Sequence, residues 1–328
     1  YLRRPAPDRR DIAAAAELVA AAEKPMIIAG GGVHYSGAVA ELTAFAERRG
    51  IPVVETVAGK ATLVHDHPNY AGPIGVTGSA AANAVAEDAD VVLAVGTRLQ
   101  DFTTGSWSVF RNPDVRFVGI NTAGWDAHKQ LALPVVADAK AALEALDAAI
   151  GDYRAPADWL PYAQNRIAEW HAYLDSWKGR EHDGPPAYAE VIQVINEICD
   201  DDDYCLSAAG GLPGELVMGW RSKSVGSFDS EYGYSTMGYE ICGGWGAKMA
   251  KPDSDVITFF SQVFDIPLCF SFEGKNRLGR LQFNNLITRP DFLVTLSAPQ
   301  NDIHCFVREI FLWNGNLLQH FHYTALLI

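Results

Sequence analysis

Two rhythms of apolar residues alternate through the first 257 positions. Short unbroken runs, MIIAG (26–30), IPVVETV (51–57), DVVLAVG (90–96) and VRFVGIN (115–121), read as strands buried on both faces of a parallel sheet. Between them lie stretches with helical spacing. AAAAELVAAA is capped by Asp11 and stops before Lys24-Pro25, and a helix from Gly37 to Arg49 puts Leu42, Phe45 and Ala46 on one face. A small-residue helix is predicted over 79–88, and LPVVAD (133–138) leads into the helix AKAALEALDAAI (139–150). Strands and helices alternate about every 25–30 residues, which predicts a doubly wound α/β sheet.

The rhythm changes over 151–186. Trp159, Tyr162, Trp170, Tyr173 and Trp177 stripe one helix face, as packing that clamps one domain to the next, and KGREHDGPP (178–186) has linker composition. A second α/β unit then opens with a helix from Ala187 to Cys199 and a solvated turn at Asp200–Asp203. The apolar run Tyr204–Ala208 follows, and a later strand begins at DVITFF (255–260). Four segments result: 1–152, a helical linker 153–182, 183–257, and 258–328. In the last, alanine falls only at 298 and 325, ten of fifteen phenylalanines gather, and FFSQVFDIPLCFSF has no consistent period. This tail is expected to be of doubtful fold, the product of a frameshift, splice error or fusion.

Charge and cysteine usage narrow the function classes. A net charge of -14 argues against a nucleic-acid binder, which would need a basic stripe to meet phosphates, and the acidic excess lies entirely before residue 258. Five cysteines without a CxxC pair, none in the first 198 residues, argue against a disulfide framework or structural zinc and for a reducing cytoplasm. No apolar run reaches the roughly 18 residues of a membrane helix, and no signal segment opens the chain. A start at Tyr1 instead of Met suggests a piece of something longer.

Candidate chemistry begins with glycine. GGGVHYSG (30–37) starts a dinucleotide fingerprint, but its third glycine falls on Tyr35, so a tight turn or a vestigial nucleotide fold accounts for it better, with Glu55 at the end of the next strand. Arg98, Asp101 and Thr103 follow the strand ending at Val95, where they face a ligand or an interface, or form an Arg–Asp pair that fixes the loop. His65/His67 and His320/His322 would each share a strand face but lack a third ligand at zinc spacing. Nucleophile-elbow and Walker motifs are absent from the sequence. The richest stretch is Leu206–Ala250, in which Gly210-Gly211 and Gly238 each precede residues able to start a helix. Glycine admits close approach and a helix N-terminus favours negative charge, so both turns suit an anionic or polar cofactor.

GTRLQDFTTGSW (96–107), AAGGLPGEL (208–216), SEYGYSTMGYE (230–240) and GGWGAKMA (243–250) together resemble the thiamine-diphosphate-dependent enzymes related to acetolactate synthase. Within that family they look most like members that hydrolyse a cyclic dione of myo-inositol breakdown. The resemblance implies a Rossmann-like central domain over 1–152 and the beginning of a thiamine-diphosphate-binding α/β domain over 183–257. It implies that Gly210, Gly211, Leu212 and Pro213 face the diphosphate, and that Ser235, Thr236, Met237 and Gly238 cradle the aminopyrimidine ring. It also implies Mg²⁺, a cyclic dione as substrate, and a homodimer or tetramer. Two departures stand beside it. The family's activating glutamate belongs to a domain that would precede Tyr1, and its Gly-Asp-Gly metal motif is replaced by Ser261-Gln262-Val263, with Asn284-Asn285 an accidental match. The expectation is therefore a hydrolase fragment, inactive alone; the alternatives are a carboligase fragment and a non-catalytic oligomerisation module.

Overall fold

Along residues 25–29 every side chain is buried, yet the side chains go to opposite sides. Ile27 and Ala29 enter one apolar cluster, Met26 and Ile28 another. That is the geometry of a central parallel strand, and in the computed structural model the first half of the chain is built around it. The structure describes residues 4–180, 187–208, 210–236, 238–261, 267–273, 292–297, 306–314 and 317–321. They form two compact units, residues 1–173 with 224–226, and residues 174–223 with 227–328.

The first unit opens with α1 (Arg9–Ala20) and β1 (Pro25–Ala29), then α2 (Gly31–Tyr35), α3 (Val39–Arg49), β2 (Val53–Glu55) and β3 (Tyr70–Pro73). It continues with α4 (Ala80–Asp88), β4 (Val91–Val95), α5 (Asp101–Thr104), β5 (Arg116–Asn121), α6 (Gly124–Ala127), β6 (Leu133–Val136), α7 (Ala139–Ala149) and α8 (Trp159–Asp175), whose last two residues belong to the second unit. The six strands pair in parallel in the order β3-β2-β1-β4-β5-β6, with the reversal between β1 and β4. This is the doubly wound arrangement of a Rossmann-like sheet. Ile12, Val19, Leu42, Phe45, Leu143 and Leu146 of α1, α3 and α7 cover one face; Ala82, Val85, Trp159 and Ala163 of α4 and α8 cover the other.

Several local expectations are corrected. The cap of α1 is Asp8, which accepts the Arg10 N–H at 2.7 Å, and Asp11 lies in the first turn. The predicted strand 51–57 is a strand only over Val53–Glu55; Val57–Gly59 forms a 3-10 turn capped by Thr56. Gly37 does not open a helix, because α3 starts at Val39 after the separate short α2. Of the aromatic stripe, Trp159, Tyr162, Trp170 and Tyr173 lie on α8 while Trp177 falls in the turn after it, and the buried Trp159 donates its indole N–H to the Pro25 carbonyl at 2.7 Å, fastening α8 to the first unit's own sheet.

The second unit contains α9 (Tyr188–Ile198), β7 (Tyr204–Ser207), α10 (Gly211–Gly219), β8 (Phe228–Ser230), α11 (Tyr239–Ala250) and β9 (Val256–Ser261). Then come β10 (Pro267–Glu273), β11 (Phe292–Ser297), β12 (Phe306–Asn314) and β13 (Leu317–Phe321). The sheet order is β13-β12-β11-β10-β9-β7-β8. β9, β7 and β8 pair in parallel, as the alternating pattern predicts, but β10 runs antiparallel to β9, so the alternation ends where the composition changes. Ile192, Leu212, Leu216, Val217, Cys205, Leu206, Val256 and Phe259 are buried here, and Trp220 meets Phe259 edge-on at 6.0 Å.

Candidate functional site

The second unit's parallel strands β7 and β8 each end in a loop that leads to a helix, so α10 and α11 start at the same carboxyl edge of neighbouring strands. The two strand ends are tied together. The Glu231 N–H donates to the Ser207 carbonyl at 3.1 Å, and the Ser207 and Ser230 hydroxyls meet at 3.2 Å. The glycine turns picked out in the sequence thus share one edge.

At the first turn, Gly210 caps α10 with φ 144°, a conformation that side chains rarely adopt, and no side chain caps the helix. Gly210 and Gly211 are exposed. A Cβ on Gly211 would find nothing nearer than a Tyr188 ring carbon at 3.9 Å, so the space in front of this helix end is open. Leu212 and Pro213 are buried; their side chains fill the unit's core, and proline brings no N–H. What faces outward is therefore backbone.

At the second turn, Ser235 (φ 55°) and Gly238 (φ 91°) are left-handed, and Ser235, Thr236 and Gly238 are exposed. A Cβ on Gly238 would touch nothing within 4 Å. Met237 lies outside the described residues. Two glutamates that the sequence reading passed over hold this turn. Glu231 accepts the N–H of Tyr234 at 3.0 Å and of Thr236 at 2.6 Å, and these bonds draw its carboxyl below the ordinary value. Glu240 is buried in the first turn of α11 and accepts the Gly238 N–H at 2.9 Å; burial pushes its carboxyl up. The legible signal was acid in a helix's first turn. Tyr239 adds a hydroxyl donated to Asp229 Oδ2 at 2.5 Å.

The first unit's candidates come out differently. A Cβ on Gly30 would lie 2.4 Å from the Gly96 carbonyl oxygen, and one on Gly59 would lie 2.0 Å from that of Ala29. These glycines let chain meet chain beside the switch point between β1 and β4, where such sheets take a dinucleotide, so their lack of a side chain serves packing. Glu55 turns inward: it is buried, Oε1 accepts the Leu63 N–H at 3.0 Å, and burial pushes its carboxyl up to about 7 despite the nearby Lys60. Arg98 and Asp101 are exposed and make no ion pair with each other; the loop is held by Lys129 Nζ, which donates to the Arg98 carbonyl at 3.0 Å, and Thr103 is buried. His65 and His67 lie in the loop before β3, not on a strand, and His67 sits 3.2 Å from Glu47. His320 falls in β13 and His322 outside the described residues.

Among the described residues no cluster of three His, Cys, Asp or Glu is placed to hold a metal ion, and no helix is long and apolar enough to cross a membrane. Ser261 ends β9 without a carboxylate; Gln262, Val263, Asn284 and Asn285 lie outside the described residues.

The family model for the thiamine pyrophosphate enzyme, central domain, matches residues 12–146. The chain belongs to the thiamine pyrophosphate enzyme family. It is 40% identical over 276 residues to 3D-(3,5/4)-trihydroxycyclohexane-1,2-dione hydrolase of Geobacillus thermodenitrificans, covering 78% of this chain and 43% of that one. Hydrolase 2 of the same name from Bacillus cereus is 36% identical over 319 residues, covering 87% and 48%. The Bacillus thuringiensis hydrolase is 36% identical over 312 residues, with the same coverage. The chain thus spans about half the length of the curated relatives it matches.

Proposed function

We propose that this chain is part of a thiamine-diphosphate-dependent hydrolase that cleaves a carbon–carbon bond in the ring of trihydroxycyclohexane-1,2-dione during inositol breakdown. The observation that carries this reading is the pairing of two open, glycine-led helix starts on one sheet edge, in a chain 36–40% identical to hydrolases of that name. Gly210 and Gly211, with the N-terminus of α10, fit a diphosphate: the end is uncapped by any side chain, exposed and sterically open. Ser235, Thr236 and Gly238 fit a flat heterocycle, since no Cβ at Gly238 bars its approach. Leu212 and Pro213, buried in the unit's core, anchor the start of α10 behind this wall.

Bound there, thiamine diphosphate supplies the nucleophilic carbon and electron sink that this bond cleavage requires. The chain's own work is to bind and orient: Glu231 and Glu240 hold the turn, and no described residue is assigned the acid–base role. Among the described residues no group of carboxylates or histidines is placed to hold Mg²⁺, and no step is derived through it. The same reading gives a homodimer or tetramer in a reducing cytoplasm, in keeping with Cys199, Cys205 and Cys242 being in no disulfide.

Calorimetric titration of the full chain with thiamine diphosphate, with and without Mg²⁺, tests the assignment. Saturable binding with Kd of about 1 mM or tighter, weakened at least tenfold by Gly238→Val, supports it. Flat titrations for both proteins, or equal binding by both, overturn it.

A further inference from the structure

The segment 231–236 has no regular structure between β8 and α11, and its residues 233–236 are exposed, Tyr234 to 90%. Its shape is nevertheless specific. Ser235 is left-handed at φ 55°, which an L side chain adopts only at a cost, so something must hold it there. The backbone supplies little: the Tyr232 N–H donates to the Ser230 carbonyl at 3.0 Å, and the next backbone bond runs from the Tyr239 N–H to the Thr236 carbonyl at 3.3 Å. Between these, the N–H groups of Tyr234 and Thr236 go to one side chain. Glu231 Oε1 takes the first at 3.0 Å and Oε2 the second at 2.6 Å. The same residue's backbone is anchored, its N–H donating to the Ser207 carbonyl at the end of β7. One carboxylate, fixed to the sheet edge, therefore spans both sides of the strained Ser235.

We propose that Glu231 is a positioning residue that latches the approach to the Ser235–Gly238 turn in its cofactor-facing form, each carboxylate oxygen holding one backbone N–H of the loop. The proposal rests on the reading of that turn as a wall of the thiamine diphosphate site and adds how the wall is kept in shape before the cofactor arrives. Glu231 has no contact with the cofactor in this scheme; it acts through the backbone of Tyr234 and Thr236. An ionised carboxylate suits the task because it accepts on both oxygens. Gln has the same shape but keeps one acceptor and sets an NH₂ against the other N–H. Asp is one methylene shorter and reaches Tyr234 but not Thr236.

The test is amide hydrogen exchange, resolved to single residues, on the full chain and on E231A, E231Q and E231D, followed by the thiamine diphosphate titration. In E231A, exchange at Tyr234 and Thr236 is expected to rise about tenfold, the loss of roughly one charge-assisted hydrogen bond at each. Amides inside α10 and α11 and the unfolding temperature stay at wild-type values. E231Q loses protection at one of the two amides, and E231D restores Tyr234 but not Thr236, a graded rescue that general destabilisation would not produce. Cofactor affinity falls about tenfold in E231A and recovers partly in E231D. Unchanged exchange at both amides in E231A, or a rise shared equally by α11, overturns the proposal. Wild-type protein that takes up no cofactor sinks the reading of the turn, while the exchange result alone still decides whether Glu231 holds it.

Discussion

Two strand–glycine–helix turns in this protein look alike in sequence and differ in what stands in front of them. After β1, Gly30 leads into α2; after β7, Gly210 leads into α10. At the first, Gly30 and Gly59 lie where a single added carbon would run into the carbonyls of Gly96 and Ala29. At the second, a carbon added to Gly211 would meet only the Tyr188 ring, at contact distance. Glycine in the first unit closes the sheet on itself; glycine in the second leaves backbone donors facing open space. The same residue type therefore marks packing in one place and a ligand surface in the other, and only the neighbours across the turn tell which.

The largest expected effect tests that contrast directly. Gly59→Ala drives a methyl into backbone that has no room to move, and should cost about 4 kcal/mol or more, or prevent folding of the first unit. Gly211→Ala should change stability by less than about 1 kcal/mol. Thermal unfolding of the two variants decides it, and comparable losses would erase the distinction.

Next in size is the pH dependence that the buried Glu55 gives the first unit. Glu55 has a folded-state value of about 7 against 4.5 for the model carboxyl, so folding favours its neutral form. The stability it contributes is present in full below about pH 4.5 and is lost as pH rises toward 7. The change is on the order of 3 kcal/mol at most, the worth of a displacement from 4.5 to about 7. Denaturant titrations of the wild type between pH 4.5 and 7.5 should show this decline, and Glu55→Gln should flatten it. A wild-type profile with no decline in that window would mean that the carboxylate is paired well enough to stay charged.

The smallest effect concerns helix starts. In the first unit α4 begins on Ser79, whose hydroxyl accepts the Ala82 N–H at 3.0 Å, and α7 on Asp138, which accepts the Ala141 N–H at 3.2 Å. The helices α10 and α11 begin on glycine without a side-chain cap. Ser79→Ala should cost about 1 kcal/mol in chemical denaturation, the usual worth of such a cap, with thiamine diphosphate binding unchanged. A Ser79→Ala variant that altered cofactor binding would break the separation between capped, structural helix starts and open ones.

Much of the fold was legible in the residues because burial on both faces leaves an unmistakable trace. β1 (PMIIA), β4 (VVLAV) and the centre of β5 (FVGI) are unbroken buried runs without a charged residue, which no surface strand would carry, and α7 shows its apolar stripe plainly. β3, YAGP, was missed because half of it is glycine and proline, and α5 and α6 because four residues hold no helical period. Of the site, the two glycine turns could be read and their clamps could not. Glu231 and Glu240 look like ordinary surface acids until the chain folds back and brings backbone N–H groups to them. Glu55 stands at a strand end, where its sequence position shows only an acid, and it is a buried carboxyl that anchors the Leu63 amide.

The sequence by itself determined the alternating elements, the doubly wound sheet and the places where glycine frees the backbone, since each depends on residues within one or two turns of one another. Tertiary structure alone decided which glycines meet protein and which meet space, and which carboxylates find a partner. Those outcomes depend on atoms brought together from distant parts of the chain, as when Gly96 closes on Gly30 or Ser207 fixes Glu231, and no local pattern of side chains records such a meeting.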